Sequence, residues 1–242
     1  MVSVCIATYN GEKYIKQQIE SILTQIDIDD EIVISDDLST DLTTEIVNSI
    51  DDLRIKLYIN NNPSGRPTEN FQNALNKSKG EFIFLADQDD IWLENKYNDS
   101  KHLLLKYDLV LSDSILVDEN LNVLKKSFFN FHKSKKGVLI NSIKNSYFGS
   151  CMAFRRKILD FALPFPKSRE IGHDVWLGLV AEMTGSVYFY NKPLILYRRH
   201  ASAVTSHGIG KSKRSLAKKF LGRLIMLQHV FVFYINYKWK KV

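Results

Sequence analysis

The chain has 242 residues, of which 45% are hydrophobic and 25% are charged. This composition is typical of a globular protein with one large domain, and it excludes a disordered or low-complexity chain. The net charge of +6 is unevenly distributed: residues 211–242 contain nine Lys or Arg and no acidic residue, whereas residues 1–210 contain 24 basic and 27 acidic residues. A slightly acidic body with a basic tail argues against nucleic acid as a partner.

The two cysteines, Cys5 and Cys151, lie in apolar runs. We expect them to be buried free thiols, and neither a disulfide framework nor a cysteine metal site is indicated. No apolar run reaches the roughly 20 residues that a membrane-spanning helix needs. A strand is predicted from Val2 with no signal peptide before it, so we expect a cytoplasmic protein.

In the first half of the chain, predicted strands alternate with predicted helices. Short apolar runs rich in β-branched residues indicate buried strands, and apolar stripes or capping residues indicate helices. The strands are Val2–Thr8, Glu31–Ser35, Arg54–Ile59 and Glu81–Ala86, and the helices are Tyr14–Ile26, a segment capped by Ser39, Thr40 or Asp41, and Thr68–Ser78. This alternation predicts an α/β fold with a mostly parallel, Rossmann-like central sheet flanked by helices.

The second half is less regular. Predicted helices are Leu93–Lys106 and Asp174–Met183, a hairpin is predicted within Ile115–Leu124, and predicted strands are Asp108–Ser114, Tyr147–Phe154, Val187–Tyr190 and Leu194–Arg198. We therefore expect one domain over 1–210, with a nucleotide-binding half (1–114) and an acceptor half (115–210). Residues 211–242 form a basic amphipathic C-terminal tail.

Three carboxylates follow the fourth predicted strand directly: Asp87, Asp89 and Asp90. Like charges this close repel one another unless a cation or basic groups neutralise them. Oxygen ligands suit Mg²⁺ or Mn²⁺, which also bind substrate phosphates. The alternative is a helix N-terminus with acidic residues that the helix dipole favours.

A second acidic pair, Asp36 and Asp37, follows the second predicted strand. Ligands of such sheets bind at the carboxyl ends of the strands, where both acidic groups lie. One of the pair could accept a hydrogen bond from a pyrimidine ring N–H. Taken alone, a simple helix cap explains this segment better.

Three segments in this order, VSVCIATYN at Val2–Asn10, ISDDLSTD at Ile34–Asp41 and LADQDDIW at Leu85–Trp92, resemble the donor-site motifs of inverting family 2 glycosyltransferases with the GT-A fold. The resemblance extends to about His207. It departs at Ala7, where Pro is common, and at Leu38, where Gly is common. A metal-dependent enzyme that transfers a hexose from a nucleotide sugar is implied.

The resemblance also implies roles for residues of the first half. Asp36 or Asp37 would contact the base, and the choice between them stays open. Asp89 would be the main ligand of Mn²⁺ or Mg²⁺ and would bridge it to the diphosphate. The residues expected to line the nucleotide site are Thr8, Tyr9, Glu12, Asp36, Asp37 and Asp87.

In the second half, YFGSCMAF at Tyr147–Phe154 resembles the family's strand beside the donor sugar and acceptor, and GHDVW at Gly172–Trp176 resembles its catalytic-base motif. Asp174 is thus the expected base that takes the acceptor hydroxyl proton. Its alternative role is the N-cap of the following helix. The residues expected near the donor or acceptor sugar are Asp90, Trp92, Gly149, Ser150, His173 and Trp176.

The segment Tyr197–His200 resembles the part of the family that follows its last strand. Arg198 or Arg199 would neutralise the leaving diphosphate. His200 would be a further metal ligand or a phosphate contact. The alternative is a solvated basic turn.

Together, DQDDIW and the His-Asp-x-Trp motif look most like bacterial rhamnosyltransferases, which use dTDP-L-rhamnose to build surface polysaccharides. The expected partners are a nucleotide-sugar donor and a glycan acceptor, free or lipid-linked. The alternatives are a UDP-hexose donor on the same fold and a non-catalytic module that binds nucleotide sugars or glycans. A dehydrogenase is excluded, since no G-x-G-x-x-G follows a strand.

The tail at 211–242 combines basic residues with many aromatic and aliphatic ones. A segment of this kind can lie on an anionic membrane surface. We therefore expect peripheral attachment to the inner face of the cell membrane. A helix packed on the body, or an oligomer contact, is the alternative.

Overall fold

The computed structural model describes residues 1–61, 63, 65–200 and 215–239. Their core is a nine-stranded sheet with helices against it. The strands are β1 (Val2–Thr8), β2 (Glu31–Asp36), β3 (Ile55–Ile59), β4 (Phe82–Asp87), β5 (Ile91–Trp92), β6 (Leu109–Val117), β7 (Val123–Lys125), β8 (Met152–Arg155) and β9 (Val187–Arg198). The helices are α1 (Ile15–Leu23), α2 (Thr43–Asn48), α3 (Pro67–Lys77), α4 (Lys96–Leu103), α5 (Phe128–His132), α6 (Val138–Ile143), α7 (Leu159–Ala162), α8 (His173–Thr184) and α9 (Leu216–Trp239).

The strand order is β3-β2-β1-β4-β8-β6-β9-β5, with β7 beside β6. The long ladders are parallel: they join β1 to β2 and β4, β2 to β3, and β6 to β9. The antiparallel ladders of β8, β5 and β7 span only two or three residue pairs each. The predicted α/β fold with a mostly parallel sheet is confirmed, and β1, β2 and β4 bring their carboxyl ends to one edge.

The central strands of the first half form where the sequence pattern predicts them because they are covered on both faces. The N-cap of α2 is Leu42, and not Ser39, Thr40 or Asp41 as predicted. All residues of β2 are buried, and six of the seven in β1 are. In α1, the stripe of Ile15, Ile19 and Ile22 is fully buried against the sheet. Helix α3 begins with Pro67, whose fixed φ suits the first helical turn.

Two elements predicted in the second half differ in the structure, and the helices α5, α6 and α7 lie where no element is predicted. A 3₁₀ turn at Gly149–Cys151 replaces most of the strand predicted at Tyr147–Phe154, and only Met152–Arg155 is extended. A Cβ on Gly149 would lie 2.9 Å from Nε2 of His173, so this turn needs a glycine. The two strands predicted at the end are one strand, β9, because register shifts opposite Asp113 absorb the interruption at Asn191–Pro193.

The tail contains the long helix α9, which packs on the body. Met226 and Val230 are buried, and the Phe233 ring meets the Trp176 ring edge-on with centroids 5.6 Å apart. The opposite face is exposed and carries Phe220, Leu221, Leu224, Phe231 and Ile235. Among the described residues, no helix combines the length and apolarity required to cross a bilayer. Residues 201–214 and 240–242, which include part of the predicted tail, lie outside the described residues.

Candidate active site

Three carboxylates meet at the carboxyl edge of the sheet. Asp87 ends β4, Asp89 lies in the turn that follows, and Asp174 lies in the first turn of α8. The pKa of Asp87 is raised to about 7, first by burial and then by the negative charges of Asp89 and Asp174. The charges of both residues therefore reach Asp87, although 87 positions separate Asp174 from it in the chain.

Asp90 belongs to the layer beneath this cluster. Its side chain is 1% exposed, and Oδ1 accepts a hydrogen bond from the backbone N–H of Arg198 at 2.9 Å. Burial, followed by the charges of Asp89 and Asp87, raises its pKa well above the usual range. Through this hydrogen bond, Asp90 joins the turn between β4 and β5 to the end of β9.

Asp89 and His200 form the candidate cation site. Nε2 of His200 lies 2.7 Å from Oδ2 of Asp89. In the described part of the chain, no group of three His, Cys, Asp or Glu side chains is arranged to hold a metal by itself. Mg²⁺ and Mn²⁺ do not need such a cage, since they bind through one or two protein ligands together with substrate phosphates and water. The pair fits such an ion, and the raised pKa of the nearby Asp87 marks the negative charge that it would offset.

Arg198 is a positioning residue. Its side chain is buried, and its guanidinium donates to the Asp89 carbonyl (2.8 Å), the Glu119 carbonyl (3.0 Å) and Oε1 of Gln17 (2.7 Å). The guanidinium also lies over the Tyr14 ring at 4.5 Å. These contacts engage the guanidinium group that was predicted to meet the diphosphate. They fix the turn that carries Asp89.

Arg199 is the remaining candidate for a diphosphate contact. Its guanidinium lies 5.7 Å from the centre of the Tyr197 ring. Its buried Nη1 has no hydrogen-bond partner within the described residues. A buried guanidinium donor without an acceptor is costly, and a phosphate oxygen would satisfy it.

The acidic pair after β2 is hydrogen-bonded within the protein. Asp36 is fully buried, and Oδ1 accepts from the Thr8 hydroxyl at 2.9 Å and from the Ser39 hydroxyl at 2.6 Å. Asp37 accepts from Nδ2 of Asn60 at 2.8 Å and from the backbone N–H of Gly65 at 3.0 Å. Both carboxylates organise the loops at the strand ends.

Tyr9 and Glu12 occupy the loop after β1. The Tyr9 side chain is exposed, while its backbone is clamped by Gln88, which accepts from the Tyr9 N–H at 2.9 Å and donates to its carbonyl at 3.1 Å. Glu12 accepts from the Leu42 N–H at 3.0 Å and so joins this loop to the start of α2. Sequence reasoning missed Gln88, because its partner lies 79 positions away.

Asp174 is not the N-cap of α8, a position that Gly172 occupies. Its Oδ1 accepts from the Val175 N–H at 2.7 Å, and its Oδ2 lies 3.5 Å from Nδ2 of Asn145. Asn145 is a second residue that the sequence did not reveal. Within the part of the chain that the structure describes, this long contact is the one hydrogen bond of Oδ2.

Three of the residues predicted to lie near the sugars pack inside the protein. Trp92 is 4% exposed and packs on Phe84, and Trp176 donates its indole N–H to the Ala162 carbonyl. His173 stacks on Phe71, and burial lowers its pKa. All three belong to the core, since tertiary packing covers both the aromatic rings and the imidazole. Gly149 and Ser150 lie buried in the 3₁₀ turn.

The fold and the carboxylate edge together define a GT-A glycosyltransferase. The profile of glycosyl transferase family 2 matches residues 3–161. The chain therefore belongs to glycosyl transferase family 2.

Curated relatives have names that describe sugar transfer. The chain is 29% identical to the Escherichia coli UDP-Glc:alpha-D-GlcNAc-diphosphoundecaprenol beta-1,3-glucosyltransferase WfaP, over 86% of this chain and 80% of that protein. It is 27% identical to the Shigella flexneri dTDP-rhamnosyl transferase RfbG, over 81% of this chain and 71% of that protein.

Solved structures share the fold. The crystal structure of S. aureus TarS 1-349 with UDP-GlcNAc has a TM-score of 0.69 and 22% identity, and the match covers 96% of this chain and 73% of that one. A second TarS 1-349 structure has a TM-score of 0.67 and 23% identity, and the match covers 81% of this chain and 60% of that one.

Proposed function

We propose that this protein is an inverting, metal-dependent glycosyltransferase that moves a sugar from a nucleotide diphosphate to a hydroxyl of a lipid-linked glycan during bacterial surface polysaccharide synthesis. The observation that carries the proposal is the electrostatic contact of Asp87 with Asp89 and Asp174. This contact brings the candidate cation ligand, Asp89, and the candidate base, Asp174, to the same carboxylate. The names of the relatives support the acceptor class, since WfaP acts on a sugar linked to diphosphoundecaprenol.

In the proposed reaction, Asp174 takes the proton of the acceptor hydroxyl as the hydroxyl oxygen attacks the anomeric carbon. The bond to the nucleoside diphosphate breaks on the opposite side, so the anomeric configuration inverts. Arg199 donates to the departing diphosphate. Asp89 and His200 would hold a divalent cation, which would stabilise the charge on that leaving group.

For the donor we keep dTDP-L-rhamnose as the first candidate, supported by the resemblance to rhamnosyltransferases and by RfbG. UDP-glucose is the second candidate, because the two E. coli relatives WfaP and WfgD are named for UDP-Glc. Thermal unfolding with a panel of nucleotide sugars and Mn²⁺ separates them. The true donor should raise the unfolding temperature in a saturable, metal-dependent way, and stabilisation by no nucleotide sugar would overturn the proposal.

Replacing the candidate base tests the mechanism. Asp174→Asn should lower the transfer rate by roughly 10²- to 10⁴-fold, because the amide cannot accept the hydroxyl proton. Donor affinity should stay nearly unchanged. The matched control is Asp160→Asn, which removes an exposed carboxylate in the first turn of α7. Turnover is measured by release of the nucleoside diphosphate, and a wild-type rate in Asp174→Asn would refute the assignment.

We also propose that the protein is cytoplasmic and attaches peripherally to the inner face of the membrane through α9. Its exposed face carries Phe220, Leu224 and Phe231, and its charged side chains are all basic. Apolar residues flanked by cations suit an anionic bilayer surface. Attachment there would bring the enzyme to a lipid-linked acceptor.

A further inference from the structure

A cleft of about 590 Å³ opens in the acceptor half, outside the carboxylate cluster. One wall is the segment 127–135, which includes α5, and the other is the part of β9 at 189–193. Phe129 and Phe189 contribute aromatic surface, with ring centroids 5.5 Å apart. The proposed transfer reaction, as described above, uses none of these residues.

The two lysines of this cleft lack anionic partners among the described residues. Lys133 and Lys135 line it, and neither ammonium group has a carboxylate partner within the described ranges. Between them, the buried hydroxyl oxygen of Ser134 has no hydrogen-bond partner there either. Lys133 has φ +57° and ends α5 in the left-handed conformation that is common at helix C-termini.

Asp113 is the one carboxylate that lines the cleft among the residues described by the structure, and its oxygens already accept hydrogen bonds. It accepts hydrogen bonds from the Ser127 hydroxyl at 2.5 Å and from the backbone N–H groups of Phe129 and Ser114 at 2.8 Å each. Asp113 is 2% exposed. It anchors the wall from behind and leaves the two ammonium groups as the accessible charges.

The same wall is bonded to the surroundings of the candidate base. Nε2 of His132 lies 2.8 Å from the carbonyl of Asn145, whose side chain contacts Asp174. The Lys135 N–H donates to the Ser146 hydroxyl at 3.1 Å. The cleft and the reacting carboxylate are therefore joined through two consecutive residues.

The region around the cleft is basic and also exposes apolar side chains. Residues 120–145 contain six lysines and no Asp or Glu. Helix α6, which follows the cleft wall in the chain, exposes Leu139, Ile140 and Ile143. A ligand that carries negative charge next to an apolar chain would match both features.

We propose that this cleft binds the diphosphate of a lipid-linked sugar acceptor, with Lys133 and Lys135 donating to its oxygens. The inference rests on the proposed function and names the chemistry of its acceptor. In an acceptor of the kind named for WfaP, the diphosphate is attached to the sugar that receives the new residue. A diphosphate subsite must then lie about the length of one sugar ring from the candidate base. The hydrogen bonds that connect Asp174, Asn145 and His132 to the cleft wall support this placement.

A binding experiment tests the cleft apart from catalysis. The probes are N-acetylglucosamine linked to a short alkyl chain through a diphosphate, and the same sugar as a neutral alkyl glycoside. Titration calorimetry in EDTA removes any cation that would itself attract the diphosphate. The wild-type protein should bind the diphosphate probe at least tenfold more tightly than the neutral one, and added salt should reduce the difference.

Lys133→Ala/Lys135→Ala should abolish this preference, a loss of roughly ten- to one-hundredfold in affinity for the diphosphate probe. The control Lys125→Ala/Lys126→Ala removes the same charge from outside the cleft and should keep the preference. Equal binding of the two probes by the wild type, or a preference retained in the first variant, would overturn the subsite. Failure of the proposed function would appear separately, as the absence of transfer from every nucleotide sugar to either probe.

Discussion

Burial decides what each carboxylate of the site can do. Asp87 and Asp90 have raised pKa values because they are removed from water and lie next to like charges. Asp36 is fully buried, and hydroxyl and backbone donors surround it. Aspartates at neighbouring strand ends therefore have different roles. Asp87 contributes negative charge that a cation would neutralise, whereas Asp36 anchors a loop.

The candidate cation ligand gives a prediction at this scale. Asp89→Asn should weaken Mn²⁺-dependent donor binding by at least about tenfold, because an amide oxygen is a much weaker ligand for a hard cation than a carboxylate. Donor affinity is measured with Mn²⁺ and with EDTA. Asp29→Asn, which removes an exposed carboxylate, is the control. Normal Mn²⁺-dependent binding in Asp89→Asn would show that the ligand lies elsewhere.

A buried lysine below the 3₁₀ turn predicts a pH dependence. Lys96 is fully buried, its ammonium donates to the Ser112 hydroxyl and the Cys151 carbonyl at 3.1 Å each, and burial lowers its pKa from 10.5 to about 8. Between pH 8 and 10.5 the unfolded chain holds this proton more tightly than the folded protein. Lys96 therefore makes the free energy of unfolding rise with pH in that window. Below pH 8 the buried ammonium is charged, and its full destabilising effect on the folded state applies.

The comparison is with Lys96→Met, which removes the titrating group. From urea unfolding at several pH values, the free energy of unfolding of the wild type should rise relative to that of the variant above pH 8. The relative slope is at most about 1.4 kcal/mol per pH unit. Curves that stay parallel from pH 7 to 10 would mean that Lys96 does not titrate in this range.

At the scale of elements, the periodicity of apolar residues correctly predicted the strands and helices that bury one regular set of side chains. The strands β1, β2 and β4 and the helix α1 agree with their patterns because sheet and helix faces cover them evenly. The 3₁₀ turn at Gly149–Cys151 disagrees because it is shaped by a distant residue, His173. An apolar run shows that a segment is buried, but not which backbone conformation its neighbours leave room for.

The packing of α9 gives a prediction for one element. Phe233→Ala should lower the free energy of unfolding by about 2 kcal/mol, because the ring is partly buried and contacts Trp176. Phe231→Ala, on the exposed face of the same helix, should change it by less than about 0.5 kcal/mol. Urea denaturation of both variants measures the difference. Equal, small effects would show that α9 does not dock on the body in solution.

At the scale of the whole molecule, α9 is apolar on two opposite sides. Deleting the tail would uncover the body as well as remove the outer face, so substitutions on the outer face are the cleaner test. Leu224→Ser/Phe231→Ser should reduce binding to phosphatidylglycerol vesicles by at least about tenfold, because less apolar surface is left to bury in the bilayer.

Vesicle co-sedimentation gives the partition coefficient for this test. The control Leu53→Ser/Leu105→Ser removes two exposed leucines elsewhere on the surface. Unchanged partitioning of the α9 variant would reject membrane attachment through this face. Self-association would instead make the sedimentation coefficient of the wild type depend on protein concentration. Loss of that dependence in the α9 variant would assign the face to a contact between copies of the chain.

The amino-acid sequence alone established three things: the α/β class, the edge of the sheet where ligands bind, and the family resemblance. These are local properties: a β-branched run forms a buried strand wherever it occurs, and acidic residues after such a strand lie at its carboxyl end. The tertiary structure alone decided that Arg198 holds the Asp89 turn, that Trp92 and Trp176 are core residues, and that Gln88 and Asn145 belong to the site. The contacts of Arg198, Gln88 and Asn145 join residues that are far apart in the chain, and only folding brings them together.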